Sequence, residues 1–256
     1  MLDATPQTPS DTAIVAFFDV DNTLLRGASV FHIAKAARRQ RLLTLVDILR
    51  FGRHQASFLL RGENNRHLGS IKERALELIE GYREDALQAL AVEVFERDIE
   101  PRLWPETVGL AREHLAKGHQ VWLMSATPQI VGKVIATRLG FTGALGTQFE
   151  AHEGVFTGKF DGPVLHAEFK AIAARALALE LNANLEDCWA YSDSRNDIPL
   201  LSLVGHRMVV NPDARLTKHA KRLGWPILQL KRASIRDAQK RVRREARAVA
   251  TKKRQA

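Results

Sequence analysis

Residues 13–18, AIVAFF, form an unbroken apolar run that leads into DVDNT, so that Asp19 and Asp21 stand two residues apart with Asn22 and Thr23 close behind. A stretch that is apolar at every residue, rather than at every second one, reads as a strand buried on both faces, the kind found in a parallel sheet. Burying a bare carboxylate is costly. A core strand that ends in two of them therefore needs something at its end to hold their charge.

No second strand is visible for about 75 residues after Arg26. Through that interval FHIAKAARRQ, RLLTLVDILRFG, HLGSIKERALELIEGY and EDALQALAVEVFERDI carry apolar residues at helical spacing, with Leu42, Leu45, Val46 and Leu49 as one such face. After Pro101 the pattern changes to alternation. A helix over 105–117 ends at Gly118, the strand HQVWLMS follows, and a helix starts after Pro128 and ends at Gly140. EAHEGVFTGKFDGP reads as a hairpin with glycine turns. Helices at 166–182, 196–204 and 213–223 then alternate with the strands CWAYSD and RMVVN, and WPILQL is a last short strand. Strands alternating with helices predict a parallel sheet covered on both faces.

The expected fold class is thus α/β, a Rossmann-like parallel sheet with a helical cap inserted after the first strand. The expected organisation is a flexible N-terminus over 1–12, a core over 13–26 and 101–230, a helical cap over 27–100 and a basic C-terminal tail over 231–256.

In open α/β sheets, ligands bind at the carboxyl ends of the strands. Three strands here end in FFDVDNT, WLMSATP and AYSDSRND, and the helix HAEFKAIAARAL brings Lys170 near its start. One crevice would then hold Asp19, Asp21, Ser125, Lys170, Asp193, Asn196 and Asp197. Taken singly, Asp193 and Ser194 fit a helix cap, Ser125 a helix N-terminus, and Lys170 a solvated helix lysine. Taken together, four carboxylates would raise one another's pKa unless a positive charge sits among them. Mg²⁺ is the expected cation, since it takes one or two carboxylates together with phosphate and water. Lys170, Ser125, Thr23 and Asn196 then serve as donors to a phosphate.

These residues resemble the haloacid dehalogenase superfamily of phosphohydrolases. DVDNT matches its first motif, DxDxT, while Ser125, Lys170 and SDSRND match the second, third and fourth. The resemblance spans residues 13–230, with the insertion similar to a C1-type cap and the whole similar to the phosphoserine-phosphatase-like subfamily IB. It implies an aspartyl-phosphate formed on Asp19, with Asp21 as general acid and then base. It implies Mg²⁺ held by the Asp19 carboxylate, the Asp21 backbone carbonyl and Asp193, with Asp197 behind a ligating water. Thr23, Ser125, Ala126, Lys170 and Asn196 form the implied phosphate-binding set. Where phosphoserine phosphatases carry a glutamate five residues after the motif threonine, this chain has Ala28, and their motif glycines are Ser192 and Ser194 here. SATP and YSDSRND are closer to the broader group that includes bacterial phosphatidylglycerophosphate phosphatases.

Charge is where the alternatives lie. The chain carries net +9, all of it accounted for by residues 231–256, and residues 26–74 add +8 against an acidic remainder. RQRLLTLVDILRFGRHQASFLLRG, with Arg39, Arg41, Arg50, Arg53 and Arg61, reads either as a packed cap helix with its arginines in water or as an anionic-membrane contact. The tail reads as a helix-prone solvated extension or as a contact to anionic lipid or nucleic acid. It holds no aromatic residue, so nucleic-acid stacking gains no support and nucleic acid is not an expected partner. A lone Cys188, a polar start and no apolar run of roughly 18–20 residues predict a cytoplasmic protein, with peripheral membrane contact as an option. The expected activity is a Mg²⁺-dependent phosphomonoesterase. Its substrate is a small phosphorylated metabolite such as phosphoserine or a phosphorylated lipid headgroup. The alternative of another class is a nucleic-acid- or membrane-binding protein with a vestigial hydrolase site.

Overall fold

The computed structural model describes residues 12–40, 76 and 79–255. The first element is β1 (Val15–Asp19), whose five residues are all buried. The apolar run becomes a strand because both of its faces are covered. Val15 and Phe17 project into one hydrophobic cluster and Ala16 and Phe18 into the other. Fully burying a side chain of this size contributes about 1.5–3 kcal/mol.

After β1 come α1 (Ser29–Arg39) and α2 (Glu84–Val94), which pack on each other, and α2 continues into one π-helical turn over Phe95–Ile99. The face of Leu42, Leu45, Val46 and Leu49, and Arg41, Arg50, Arg53 and Arg61, lie outside the described residues. Arg39 lies within them and is not a solvated arginine, because it pairs with Glu93 at 3.1 Å and Asp98 at 2.8 Å. Asp98 is buried, and the ion pair ties α1 to the end of α2.

The core then runs α3 (Pro105–Ala116), β2 (Gln120–Pro128), α4 (Gln129–Leu139), β3 (Gly143–Thr147), β4 (Phe149–His152) and β5 (Val155–Phe160). Next come α5 (Glu168–Glu180), β6 (Trp189–Ser192), α6 (Ile198–Leu203), β7 (His206–Val210), α7 (Ala214–Leu223), β8 (Ile227–Leu228) and α8 (Arg232–Gln255). Gly140 closes α4 in the left-handed conformation at φ 71°, which relieves the helix end without a Cβ clash.

Six strands form one parallel sheet in the order β3-β2-β1-β6-β7-β8, and β4-β5 is a separate antiparallel hairpin. Apolar residues of α3 and α4 cover one face, and those of α5, α6 and α7 cover the other. The fold is therefore the expected α/β Rossmann-like parallel sheet with helices inserted after the first strand. Two elements differ from the expectation. β3, GALGT, was not foreseen, because two glycines and an alanine give no apolar pattern; it is held by pairing with β2. Within the 231–256 segment, Arg232–Gln255 is a helix seated on the core at its start, where Ile235 is buried and Gln239 Nε2 donates to Pro101 O at 2.7 Å.

The chain leaves β1 in one direction through β2 to β3 and later in the other through β6 to β8. The reversal falls between β1 and β6, where a crevice opens at the carboxyl ends of the strands.

Candidate active site

Asp19 is the last residue of β1, and it is almost fully buried. Across the crevice, Lys170 stands in the first turn of α5, 4% exposed. Ala167, just before the helix, has a positive φ of 52°, unusual for a residue with a Cβ. Lys170 Nζ donates to Asp19 Oδ1 at 2.6 Å and to Asp197 Oδ2 at 2.6 Å. Ser192 Oγ donates to the same Asp197 oxygen at 2.7 Å. Asp197 lies in a single 3₁₀ turn after β6, which turns its side chain back toward the strand end.

Asp21 is placed by the inserted helix, not by the sheet. The backbone N–H of Ser29, first residue of α1, donates to Asp21 Oδ1 at 2.8 Å. Ser29 Oγ meets Thr127 Oγ1 at 2.6 Å, and Thr127 N donates to Ser125 Oγ at 3.1 Å. The loop that carries Ser125 and Ala126 is held further by Thr147 Oγ1, which donates to Ala126 O at 2.7 Å. Gly146 backs this loop so closely that a Cβ there would stand 2.8 Å from Thr127 O.

Asp19, Asp21, Ser125, Ala126, Lys170, Asp193, Asn196 and Asp197 all line one cavity of about 900 Å³. That volume is at the upper end for sites that take a small organic ligand. Thr23 is the exception among the expected residues. It is fully buried, its Oγ1 has no hydrogen-bond partner, and it is not in the cavity wall. The turn after Asp21 is closed by the backbone N–H groups of Leu24 and Leu25, which donate back to Val20 O.

The electrostatics of the crevice follow from four carboxylates around one ammonium. Burial pushes the Asp19 carboxyl up to about 7, against the attraction of Lys170 and with the help of Asp197 and Asp21. Burial, followed by repulsion from Asp19 and Asp197, pushes Asp193 up to about 8. Asp21 is raised by burial and held back by its bonds from Ser29. Burial alone would lower Lys170, but Asp19 and Asp197 hold it above the usual lysine range and keep it charged. Among the described residues no three His, Cys, Asp or Glu side chains stand together at metal-ligand spacing. The donor set is nonetheless suited to a hard cation: oxygen ligands only, with two carboxyls pushed toward neutrality by burial and then by neighbouring negative charge.

The site also contains residues that strand-end reasoning did not single out. Ser192 precedes Asp193 at the end of β6, a position that could have flagged it. Ser29 and Thr127 gave no such signal, since each acts across a contact remote in sequence.

Residues 16–202 match the haloacid dehalogenase-like hydrolase family. The chain is 45% identical over 222 residues to a protein of Mycobacterium tuberculosis (strain H37Rv) named phosphoserine phosphatase SerB1, spanning 86% of this chain and 72% of that one. It is 30% identical over 224 residues to a histidinol-phosphatase of Neisseria meningitidis serogroup C, spanning 85% and 99% of the two chains. A solved structure from Bordetella pertussis Tohama I, of unknown function, superposes with a TM-score of 0.75 at 29% identity, over 85% of this chain and 98% of that one.

Proposed function

The chain belongs to the haloacid dehalogenase-like hydrolases and is a phosphatase of that family, and we propose that it hydrolyses a phosphomonoester with Asp19 as nucleophile and Mg²⁺ as cofactor. The observation that carries this reading is the buried Lys170 shared between Asp19 and Asp197. A lysine held charged at the floor of a carboxylate-lined cavity has little purpose in a vestigial site. It supplies a fixed positive charge where an incoming phosphoryl group would gather negative charge.

Lys170 occupies Asp19 Oδ1 and leaves Oδ2 as the oxygen that attacks phosphorus. As the P–O bond to the leaving group breaks, Asp21 gives that oxygen its proton. Burial raises the Asp21 pKa and so favours the protonated form that this step needs. Water then attacks the phosphorus of the aspartyl-phosphate, Asp21 takes the proton of that water, and orthophosphate leaves with Asp19 restored. Ser125, Ala126, Lys170 and Asn196 hold the phosphoryl oxygens during both transfers. Asp19, the Asp21 carbonyl and Asp193 would hold Mg²⁺, with Asp197 behind it. Bound there, the ion supplies charge neutralisation for the phosphoryl oxygens.

The name of the mycobacterial relative supports a small metabolite such as phosphoserine as substrate. A phosphorylated lipid headgroup is supported by a separate observation, the strongly basic α8 that begins at the cavity. In that case the enzyme works in the cytoplasm at an anionic membrane surface; no helix among the described residues is long and apolar enough to cross a membrane. Hydrolysis of an aryl phosphate by the full chain is the direct test. Turnover that stops in excess chelator and returns with Mg²⁺ is the expected result. Full turnover in chelator would remove the metal from the proposal, and no turnover under any condition would remove the phosphatase.

A further inference from the structure

Above its acidic floor the cavity changes sign. Arg26, Arg195, Arg215 and Arg232 stand in its wall, from four different segments: the turn after β1, the turn after β6, the start of α7 and the start of α8. None of the four guanidinium groups has an ion-pair partner among the described residues. Three of the cavity's carboxylates are already engaged, and Asp193, in the same wall, forms no ion pair with an arginine among the described residues. Asp19 and Asp197 bind Lys170, and Asp21 accepts from Ser29 N. Asp213, the one acid near the rim, caps α7 by accepting from the backbone N–H groups of Arg215 and Leu216, and also from Arg195 N. These arginines therefore do not serve simply as counter-ions to the floor.

Four like charges gathered round one opening repel one another, and that repulsion is relieved when an anion lies between them. A guanidinium offers a planar fork matched to carboxylate and phosphate oxygens. Ala28, Trp104 and Leu230 give the same cavity an apolar part of its wall. One cavity thus holds a carboxylate–lysine cluster, apolar wall and four unpaired guanidinium groups.

We propose that the arginine rim binds a second anionic group on the leaving alcohol, so that the substrate is a phosphomonoester carrying a carboxylate or a phosphodiester a few bonds from the scissile phosphate. The inference rests on the phosphatase reading and makes it narrower. It disfavours leaving groups that carry only positive charge, such as the amine and imidazole of histidinol. It also gives α8 a place in the site, because its first residue is Arg232.

The test is steady-state kcat/KM for the full chain with Mg²⁺ on soluble monoesters matched in shape. Glycerol 3-phosphate and 3-phosphoglycerate differ in a hydroxymethyl against a carboxylate. A third ester is glycerol phosphate bearing a methyl phosphodiester on its other primary hydroxyl, and a fourth is histidinol phosphate. The expected result is a preference of about tenfold or more for at least one ester with an anionic arm over glycerol 3-phosphate, the scale of one charge-assisted hydrogen bond. Histidinol phosphate should be the poorest. A gain with the carboxylate alone identifies a small acid as the source of the second anion, and a gain with the phosphodiester identifies a headgroup. In Arg215→Gln and Arg232→Gln the ratio of anionic to neutral ester should fall toward one. These side chains are exposed, so either variant suffices once its circular dichroism matches wild type. Equal losses on all esters, with the ratio kept, would overturn the assignment of the rim. Equal kcat/KM for neutral and anionic esters in the wild type would overturn the inference and leave the phosphatase standing, whereas no hydrolysis of any ester would overturn both.

Discussion

Lys170 Nζ and Asp19 Oδ1 stand 2.6 Å apart although 151 residues separate them in the chain, and both side chains are buried. Nothing but closure of the α/β sheet brings them together, so the contact ties catalysis to the fold. Lys170→Met roughly keeps the length of the side chain and removes its charge, leaving two buried carboxylates without their counter-ion. Breaking such a pair costs about 3–5 kcal/mol. Turnover should fall on the order of 10²- to 10³-fold with the loss of a fixed charge at the phosphoryl group. Urea unfolding at neutral pH and aryl phosphate hydrolysis measure the two losses; a variant as stable and active as wild type would contradict both.

Cation binding should compete with protons at Asp19 and Asp193. Without a cation, these groups have folded pKa values of about 7 and about 8, well above an ordinary aspartate. The stability they contribute is therefore present in acid and lost as pH rises through those values. Mg²⁺ should reverse that loss, so the rise in Tm on adding Mg²⁺ should be larger at pH 8.5 than at pH 6. Thermal unfolding across that range checks it without an activity assay, and a Tm rise independent of pH would place the ion elsewhere.

The bond from Ser29 N to Asp21 links the first inserted helix to the proposed acid. Ser29 is the first residue of α1 and Ala28 before it is extended, so proline is sterically admissible at that position. Ser29→Pro removes the N–H that helps keep the Asp21 pKa from rising further. The alkaline limb of kcat/KM should move to higher pH. Ser29→Ala retains the N–H and loses the hydroxyl with its bond to Asp21 and its contact to Thr127, so its limb should move, but less than that of Ser29→Pro. Superimposable pH profiles for Ser29→Pro and Ser29→Ala would show that the backbone bond has no influence on the acid.

Away from the site, His114 is buried with Nε2 2.8 Å from Tyr191 Oη and Nδ1 2.8 Å from His119 Nδ1. Burial, then His119 and Lys117, pushes its pKa down to about 4. The unfolded chain thus binds this proton first, and folding stability contributed by neutral His114 is lost as pH falls from about 6.5 toward 4. His114→Gln keeps a polar partner for Tyr191 and cannot take up the proton. The difference in Tm between wild type and His114→Gln should narrow as pH is lowered through that window, and a constant difference would contradict the assignment.

Much of this site was legible because strands end where chemistry begins. Asp19, Ser125 and Asp193 follow apolar runs that only a sheet can bury, and the cavity collects them with Lys170, Asn196 and Asp197. Thr23 is fully buried with its Oγ1 unpartnered and stands outside the cavity wall, a placement that the motif alone does not indicate. The Ser29–Thr127 contact joins residues 98 apart and leaves no periodic trace. The arginine rim was hidden for a similar reason. Arg232 belongs to a segment whose high charge reads as a solvated tail, and only the seating of α8 on α3 places its first residue at the cavity.

The central claim is that the phosphoryl group passes through Asp19, and acid quenching during turnover of a ³²P-labelled monoester tests it most directly. Quenched protein, digested and mapped by mass spectrometry, should carry one phosphoryl group on the peptide containing Asp19, stable in acid and released by hydroxylamine. Asp19→Asn should fold normally, carry no label and show no turnover. Label on another residue, or turnover by Asp19→Asn near that of wild type, would contradict the account.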